Sequence, residues 1–214
     1  MELLSVVETV TIVVTFVLMA SGIPSCLDMY KTKDTKNVPY LFFLINTVIS
    51  LIAVYYGLVV SNSTLILVNG VGTILWGLYV FVYVAVSRSK SWPVAQVLML
   101  ALLLLGHLLY LKLFTPYPPA LASTLGFFLF VWSVVVLLTP ILDIVQIARE
   151  RSAEGTSIPL LLGGTLCCLA WLAYGYLLND FFVYAPNILG LGVNFAKFVA
   201  MGVYSGAKFK GKTL

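Results

Sequence analysis

The residues best able to do chemistry are two asparagines set in otherwise apolar sequence. Asn69 follows the pair Tyr56-Gly57 by twelve residues counted from the glycine, and Asn187 follows Tyr174-Gly175 by the same twelve. A carboxamide offers two N–H donors and an oxygen with two lone pairs. A pair of them suits a neutral, hydroxyl-rich solute. One such asparagine alone would read as a helix-to-helix hydrogen bond within a membrane; its repetition at fixed spacing favours a binding site. Trp171 lies four residues before Gly175, and the residue four before Gly57 is Ala53. A wide aromatic matched with a small residue would leave an asymmetric cavity, with the indole against the C–H face of a sugar ring. The other reading of Trp171 is a member of an interfacial aromatic belt.

Four prolines flank the same apolar stretches at their opposite ends: Pro24, Pro39, Pro140 and Pro159. Proline frees a carbonyl and kinks a helix, so together they read as a gate built without charge, or singly as loop boundaries. Tyr56, Tyr174, Asp180 and Phe181 lie at the other end. Asp180 with a tyrosine hydroxyl could close that side, or could stand as a solvated loop acid.

What is missing narrows the chemistry. No aspartate, glutamate or arginine falls in the middle of an apolar stretch, whereas proton-coupled carriers usually keep a buried titratable group. That favours facilitated diffusion of a neutral solute. The one histidine, His107, and the three cysteines, Cys26, Cys167 and Cys168, lack metal-ligand spacing and read as packing residues. Nothing resembles a phosphate loop or a nucleophile–base pair, so neither an enzyme nor a cofactor is expected.

The elements that must position these residues are membrane helices. Of 214 residues 61% are hydrophobic and only 9% charged, far below the roughly 25% of a soluble domain. Charge-free runs and the polar turn Ser61-Asn62-Ser63-Thr64 predict seven spans, at 5–27, 39–59, 65–87, 93–112, 120–142, 158–178 and 182–205. The first has no basic leader and carries Glu2 and Glu8, so it is not expected to be a cleavable signal. Lys31, Lys33, Lys36, Arg88, Lys90, Arg149, Arg151, Lys208, Lys210 and Lys212 gather on one side, and Lys112 alone on the other. The basic side is expected to be cytoplasmic, with the N-terminus outside and the C-terminus inside. Lys197 sits near the basic side and could snorkel to it. The net charge of +4 is then a topology signal and implies no nucleic-acid partner. The sequon Asn62-Ser63-Thr64 falls outside but close to the membrane.

The sequence also repeats. Pro24 and Pro140 are offset by 116 residues, and the Tyr-Gly and Asn pairs by 118, which a two-residue insertion in the later loop explains. Three helices reverse the chain once too often, so a fourth, unmatched span must restore the orientation. The expected fold is an all-α membrane protein of seven transmembrane helices. Two parallel three-helix repeats, 1–90 and 120–214, are joined by a linker helix at 91–119. Such repeats place a substrate path at their interface.

These residues resemble the SWEET family of sugar transporters. The resemblance rests on Pro24 with its KTKDT loop, Tyr56-Gly57, LILVNGVG at 65–72, Thr139-Pro140, Ser157-Ile158-Pro159, WLAYG at 171–175 and DFFVYAPNILG at 180–190, and so runs through both halves. It implies a bidirectional sugar uniporter. The asparagines matching Asn69 and Asn187 would contact sugar, and the tryptophan matching Trp171 would line the pocket. The position of Ala53 is often larger or polar in the family. The resemblance further implies an inner gate of Pro24, Pro39, Pro140 and Pro159 and an outer gate of Tyr56, Tyr174 and Asp180. One departure stands out: Pro159 precedes its glycine by 16 residues but Pro39 precedes Gly57 by 18, so Phe42 or Leu41 holds the usual proline position.

The expected activity is facilitative, bidirectional transport of a mono- or disaccharide such as glucose or sucrose, by rocking of the two repeats, without ion coupling. Partners are the sugar, the lipid bilayer and a second copy of the chain, for which Gly202-x-x-x-Gly206 offers a helix-packing motif. The plasma membrane is the default location, with an internal membrane as the alternative. Rival readings are a related carrier for another small solute such as an amino acid, a seven-helix receptor, and a scaffold without transport.

Overall fold

The computed structural model describes residues 2–35, 38–115, 117–153 and 156–205. Lys36, Gly206, Lys208, Lys210 and Lys212 lie outside them. The described residues form nine helices: α1 (Glu2–Ala20), α2 (Ile23–Thr32), α3 (Tyr40–Val59), α4 (Ser63–Val86), α5 (Ser91–Phe114), α6 (Pro118–Val136), α7 (Leu138–Glu150), α8 (Ile158–Leu177) and α9 (Phe181–Ser205). With α1–α2 and α6–α7 taken as single broken spans, seven are long and apolar enough to cross a membrane. Five of the expected spans agree with α3, α4, α5, α8 and α9 to within two residues at each end. The first and fifth run further than the charge-free sequence, to Thr32 and Glu150. Charge marks where apolar sequence stops, but a helix with one polar face continues past it.

Both breaks have one cause. Proline lacks an N–H, and its ring crowds the carbonyl four residues earlier. α1 ends at Ala20, four before Pro24, and α6 ends at Val136, four before Pro140. The chain tightens across each break, Gly22 N–H bonding the Met19 carbonyl and Leu137 N–H that of Val134.

The helix lengths carry the repeat. α1 and α6 have 19 residues each, and α3 and α8 have 20 each. α3 and α8 end in matching turns. In the first, Asn62 N–H bonds the Gly57 carbonyl at 2.8 Å, and in the second Asp180 N–H bonds that of Gly175 at 2.9 Å. With left-handed Ser61 and Asn179 (φ 55° and 54°) these are Schellman turns, which satisfy the last helix carbonyls. Asn62 and Asp180 then open α4 and α9: their side chains accept from Leu65 N–H at 2.9 Å and Phe182 N–H at 3.1 Å. The polar turn expected at 61–64 is thus a C-cap fused to an N-cap.

Packing divides the chain into two compact units, Thr15–Ser133 and Met1–Val14 with Val134–Leu214. Their boundaries fall inside α1 and α6 and so differ from the repeat boundaries expected from chain order. In Thr15–Ser133, α2 and α5 pack against the α3–α4 hairpin. An aromatic cluster of Phe42, Phe43, Trp76 and Tyr79 fills its centre. Tyr40 stacks on Tyr83 at 4.2 Å and donates to the Pro93 carbonyl at 2.9 Å, tying α3 to the start of α5. In the other unit α8 and α7 pack on α9, with Ile147, Leu161, Ala200 and Met201 at the core of one cluster. The fully buried Thr11 hydroxyl bonds the Val7 and Ala170 carbonyls at 2.7 and 3.2 Å, holding α1 to α8.

Large apolar side chains cover the outside, among them Ile74, Phe81, Leu102 and Phe195. In water such a surface would aggregate; lipid is its matching solvent. Inside the spans, polar side chains turn back on their own helices, as Thr47 does to the Phe43 carbonyl and Thr165 to that of Leu161.

Candidate functional site

Within each hairpin, the register sets the level of every expected site residue. Asn69 is the seventh residue of α4, and Asn187 the seventh of α9. Ala53 and Trp171 each lie six residues before the end of their helix. At 1.5 Å per residue, all four sit about 9 Å below their hairpin turn. Ala53 thus shares a level with Asn69, and Trp171 with Asn187, each pair across an antiparallel hairpin.

The Tyr-Gly pairs explain how the helices come close enough. A Cβ on Gly57 would lie 3.0 Å from Leu65 Cβ and 3.2 Å from the Ile66 backbone nitrogen. One on Gly175 would lie 2.7 Å from the Tyr184 backbone nitrogen. At Gly175 only glycine allows this approach, one turn from the site level; at Gly57 a methyl would force its neighbours to give by a few tenths of an ångström. Tyr56 and Tyr174, beside these glycines, are both buried. Trp171 is half-buried and meets the Tyr174 ring edge-on at 5.8 Å.

The two asparagines have matching surroundings. Both are half-buried. Asn69 Nδ2 donates to the Leu65 carbonyl at 3.0 Å and Asn187 Nδ2 to that of Val183 at 2.7 Å. Each carboxamide is thereby oriented by its own helix, which leaves its oxygen and second N–H for a ligand. Pro186, just before Asn187, lies inside α9.

Each compact unit holds half of the expected set. Ala53, Tyr56 and Asn69, with Pro24 and Pro39, belong to Thr15–Ser133; Trp171, Tyr174, Asp180 and Asn187, with Pro140 and Pro159, belong to the other unit. The prolines do not all play one structural part. Pro24 and Pro140 break helices, Pro159 starts α8, and Pro39 stands at the cap before α3. With α3 and α8 in register, Leu41 takes the helix position of Pro159, while Pro39 takes that of Ser157, whose hydroxyl caps α8. Asp180 acts as a helix cap, where a carboxylate also complements the N-terminal dipole. That role was legible beforehand, since Asn62 stands at the equivalent place.

Two side chains were missed. Lys197 Nζ lies 2.6 Å from Asp143 Oδ2 in α7. Tyr79 donates its hydroxyl to the Met19 carbonyl at 3.1 Å. The 118-residue offset pairs Tyr79 with Lys197. His107 packs edge-on against Phe128 with ring centroids 4.3 Å apart.

Seven apolar spans, a doubled hairpin and a carboxamide in each half define a membrane carrier of the repeat type. A family described as "Sugar efflux transporter for intercellular exchange" matches residues 5–91 and 123–208. The chain belongs to this family, the SWEET sugar transporters, whose members are transporters and not enzymes. It is 31% identical over 188 residues to the sugar transporter SWEET1 of Xenopus tropicalis, covering 87% of each chain. The mouse (Mus musculus) SWEET1 is 30% identical, over 87% of this chain and 85% of that one. The bidirectional sugar transporter SWEET13 of Oryza sativa subsp. japonica is 29% identical, over 89% of this chain and 64% of that one. The fold matches the 3.7 Å structure of a eukaryotic SWEET transporter with a TM-score of 0.82, at 23% identity, over 95% of this chain and 97% of that one.

Proposed function

We propose that this protein carries neutral sugars across its membrane by facilitated, bidirectional, alternating access without ion coupling. The observation that supports it most is the matched pair of half-sites: Asn69 with Ala53, and Asn187 with Trp171, each at one level of its hairpin. Sugar hydroxyls bond the free carboxamide atoms of both asparagines while the Trp171 face packs on the ring. The proposed cargo is a mono- or a disaccharide, such as glucose or sucrose. The two repeats, 1–90 and 120–214 about the linker 91–119, rock against each other; the two separate family matches, at 5–91 and 123–208, support this division. Pro24, Pro140 and Pro159, with Pro39 the least similar in place, form the inner gate, and Tyr56, Tyr174 and Asp180 the outer one.

A carrier must release what it binds. A Kd of about 1–50 mM corresponds to roughly −4 to −2 kcal/mol, which two or three hydrogen bonds of about 1 kcal/mol net each supply. The basic loops support an N-terminus outside and a C-terminus in the cytoplasm. The plasma membrane is the proposed location, and a homo-oligomer the proposed assembly.

Uptake of radiolabelled glucose and sucrose into proteoliposomes, with no ion gradient, tests the reading. Saturable uptake by the wild type that is lost in Asn187→Ala supports it. Folded wild-type protein that takes up neither sugar would point to another solute.

A further inference from the structure

Each three-helix repeat contains one proline break, and in each a side chain of the third helix is bonded beside it. Tyr79 of α4 and Lys197 of α9 are separated by 118 residues, the offset that relates the two hairpins. Tyr79 donates to the carbonyl of Met19, at the end of α1, and its ring stands 2.8 Å from where a Cβ on Gly22 would be, so the break itself is packed against this tyrosine. Lys197 pairs with Asp143, three residues past Pro140 on α7, at 2.6 Å. The two repeats thus bond the same region with different chemistry: one with a neutral hydroxyl, the other with an ion pair.

The ion pair is placed to matter. The lysine side chain is only 12% exposed and the aspartate 48%. Removing the Asp143 charge strands the lysine in a poorly solvated place, whereas Asp143 keeps about half of its side chain exposed. Next to it along both helices runs the apolar seam. Ile144 and Ile147 follow Asp143 on α7, and Ala200, Met201 and Tyr204 follow Lys197 at helical spacing on α9. The seam gives adhesion without direction, since apolar contact tolerates sliding. A directional bond at its start sets how α7 sits on α9.

We propose that Lys197 is a positioning residue: through Asp143 it fixes the bend at Pro140, so that α7 moves with α9 as one arm during transport and does not flex at the proline. This rests on the transport reading above. The bend is then a rigid elbow, and Pro140 serves the proposed inner gate as a fixed bend carried by the whole arm.

The test uses the full-length protein in proteoliposomes with Asp143→Asn, Lys197→Met and the charge swap Asp143→Lys/Lys197→Asp. Hydrogen exchange across residues 141–150, followed by mass spectrometry, reads the elbow without reference to sugar. Transport kinetics read its consequence. Exchange in α7 is expected to rise about tenfold in each single variant, while the maximal sugar flux falls several-fold at unchanged half-saturation. The swap should return both towards wild type. Unchanged exchange in the single variants overturns the proposal. So does faster exchange with wild-type flux, or a swap no better than the worse single variant. If the wild type itself moves no sugar, the transport reading fails, and the exchange data still decide whether the pair holds the elbow.

Discussion

Ser61 and Asn179 hold the same left-handed backbone, with φ of 55° and 54°, at equivalent points of two hairpins 118 residues apart. Each follows the last turn of one span and precedes the cap of the next. Left-handed backbone costs an ordinary L-residue about 1–2 kcal/mol, and asparagine tolerates it better than serine. Ser61→Gly should therefore stabilise the protein by about 0.5–1 kcal/mol after glycine's own entropy cost, and Asn179→Gly by less. Thermal unfolding in detergent measures both, and equal or opposite shifts would contradict the assignment of these turns.

The glycines one turn deeper should respond in the opposite sense. Gly175→Ala drives a methyl towards the Tyr184 backbone, which cannot rotate away. A loss of about 1–3 kcal/mol is expected. Gly57→Ala, whose nearest neighbours stand at 3.0–3.2 Å, should lose less. The ratio of folded to aggregated protein after mild heating reads the difference.

Asp180 can be separated into its two roles. Asparagine caps as well as aspartate, and Asn62 already does so in the first hairpin. Asp180→Asn should keep the thermal midpoint, whereas Asp180→Ala should lose about 1 kcal/mol. If Asp180→Asn keeps its stability but slows sugar flux, the charge serves the proposed outer gate; if flux is unchanged, the residue is a cap alone.

The proposed pairing of Ala53 with Trp171 has a size-dependent consequence. Ala53 is almost wholly buried, at 2% exposure. Ala53→Leu would add volume at the level of Asn69 in the hairpin. Under the proposed site, uptake of sucrose should fall more than that of glucose, with the thermal midpoint as a control for overpacking. Equal loss of both sugars would remove Ala53 from the proposed pocket.

Much of this arrangement could be read from residue order alone. The spans were legible because lipid leaves a chain few options besides closed apolar helices. The hairpins were legible because glycine is demanded where backbones nearly touch, and Tyr-Gly followed by asparagine at a fixed distance records that demand twice. The charged ends were harder. Asp28, Lys31 and Asp143 look like loop residues in a one-dimensional reading, yet α2 and α7 continue through them. The Lys197–Asp143 bond depends on how two helices rotate against each other, which spacing does not encode. The compact units depend on packing that cuts across chain order, so the repeat boundaries do not predict them.

The bond that each asparagine makes to its own helix bears on the return half of the cycle. An empty polar site that must cross a dry environment normally carries a desolvation penalty of about 1–3 kcal/mol for each orphaned donor. Here one amide hydrogen of Asn69 is lodged on Leu65, and one of Asn187 on Val183. These two donors therefore need no sugar to satisfy them. In the proposed cycle the vacant carrier can reset without cargo, so net flux down a gradient proceeds without waiting for an exchange partner on the far side.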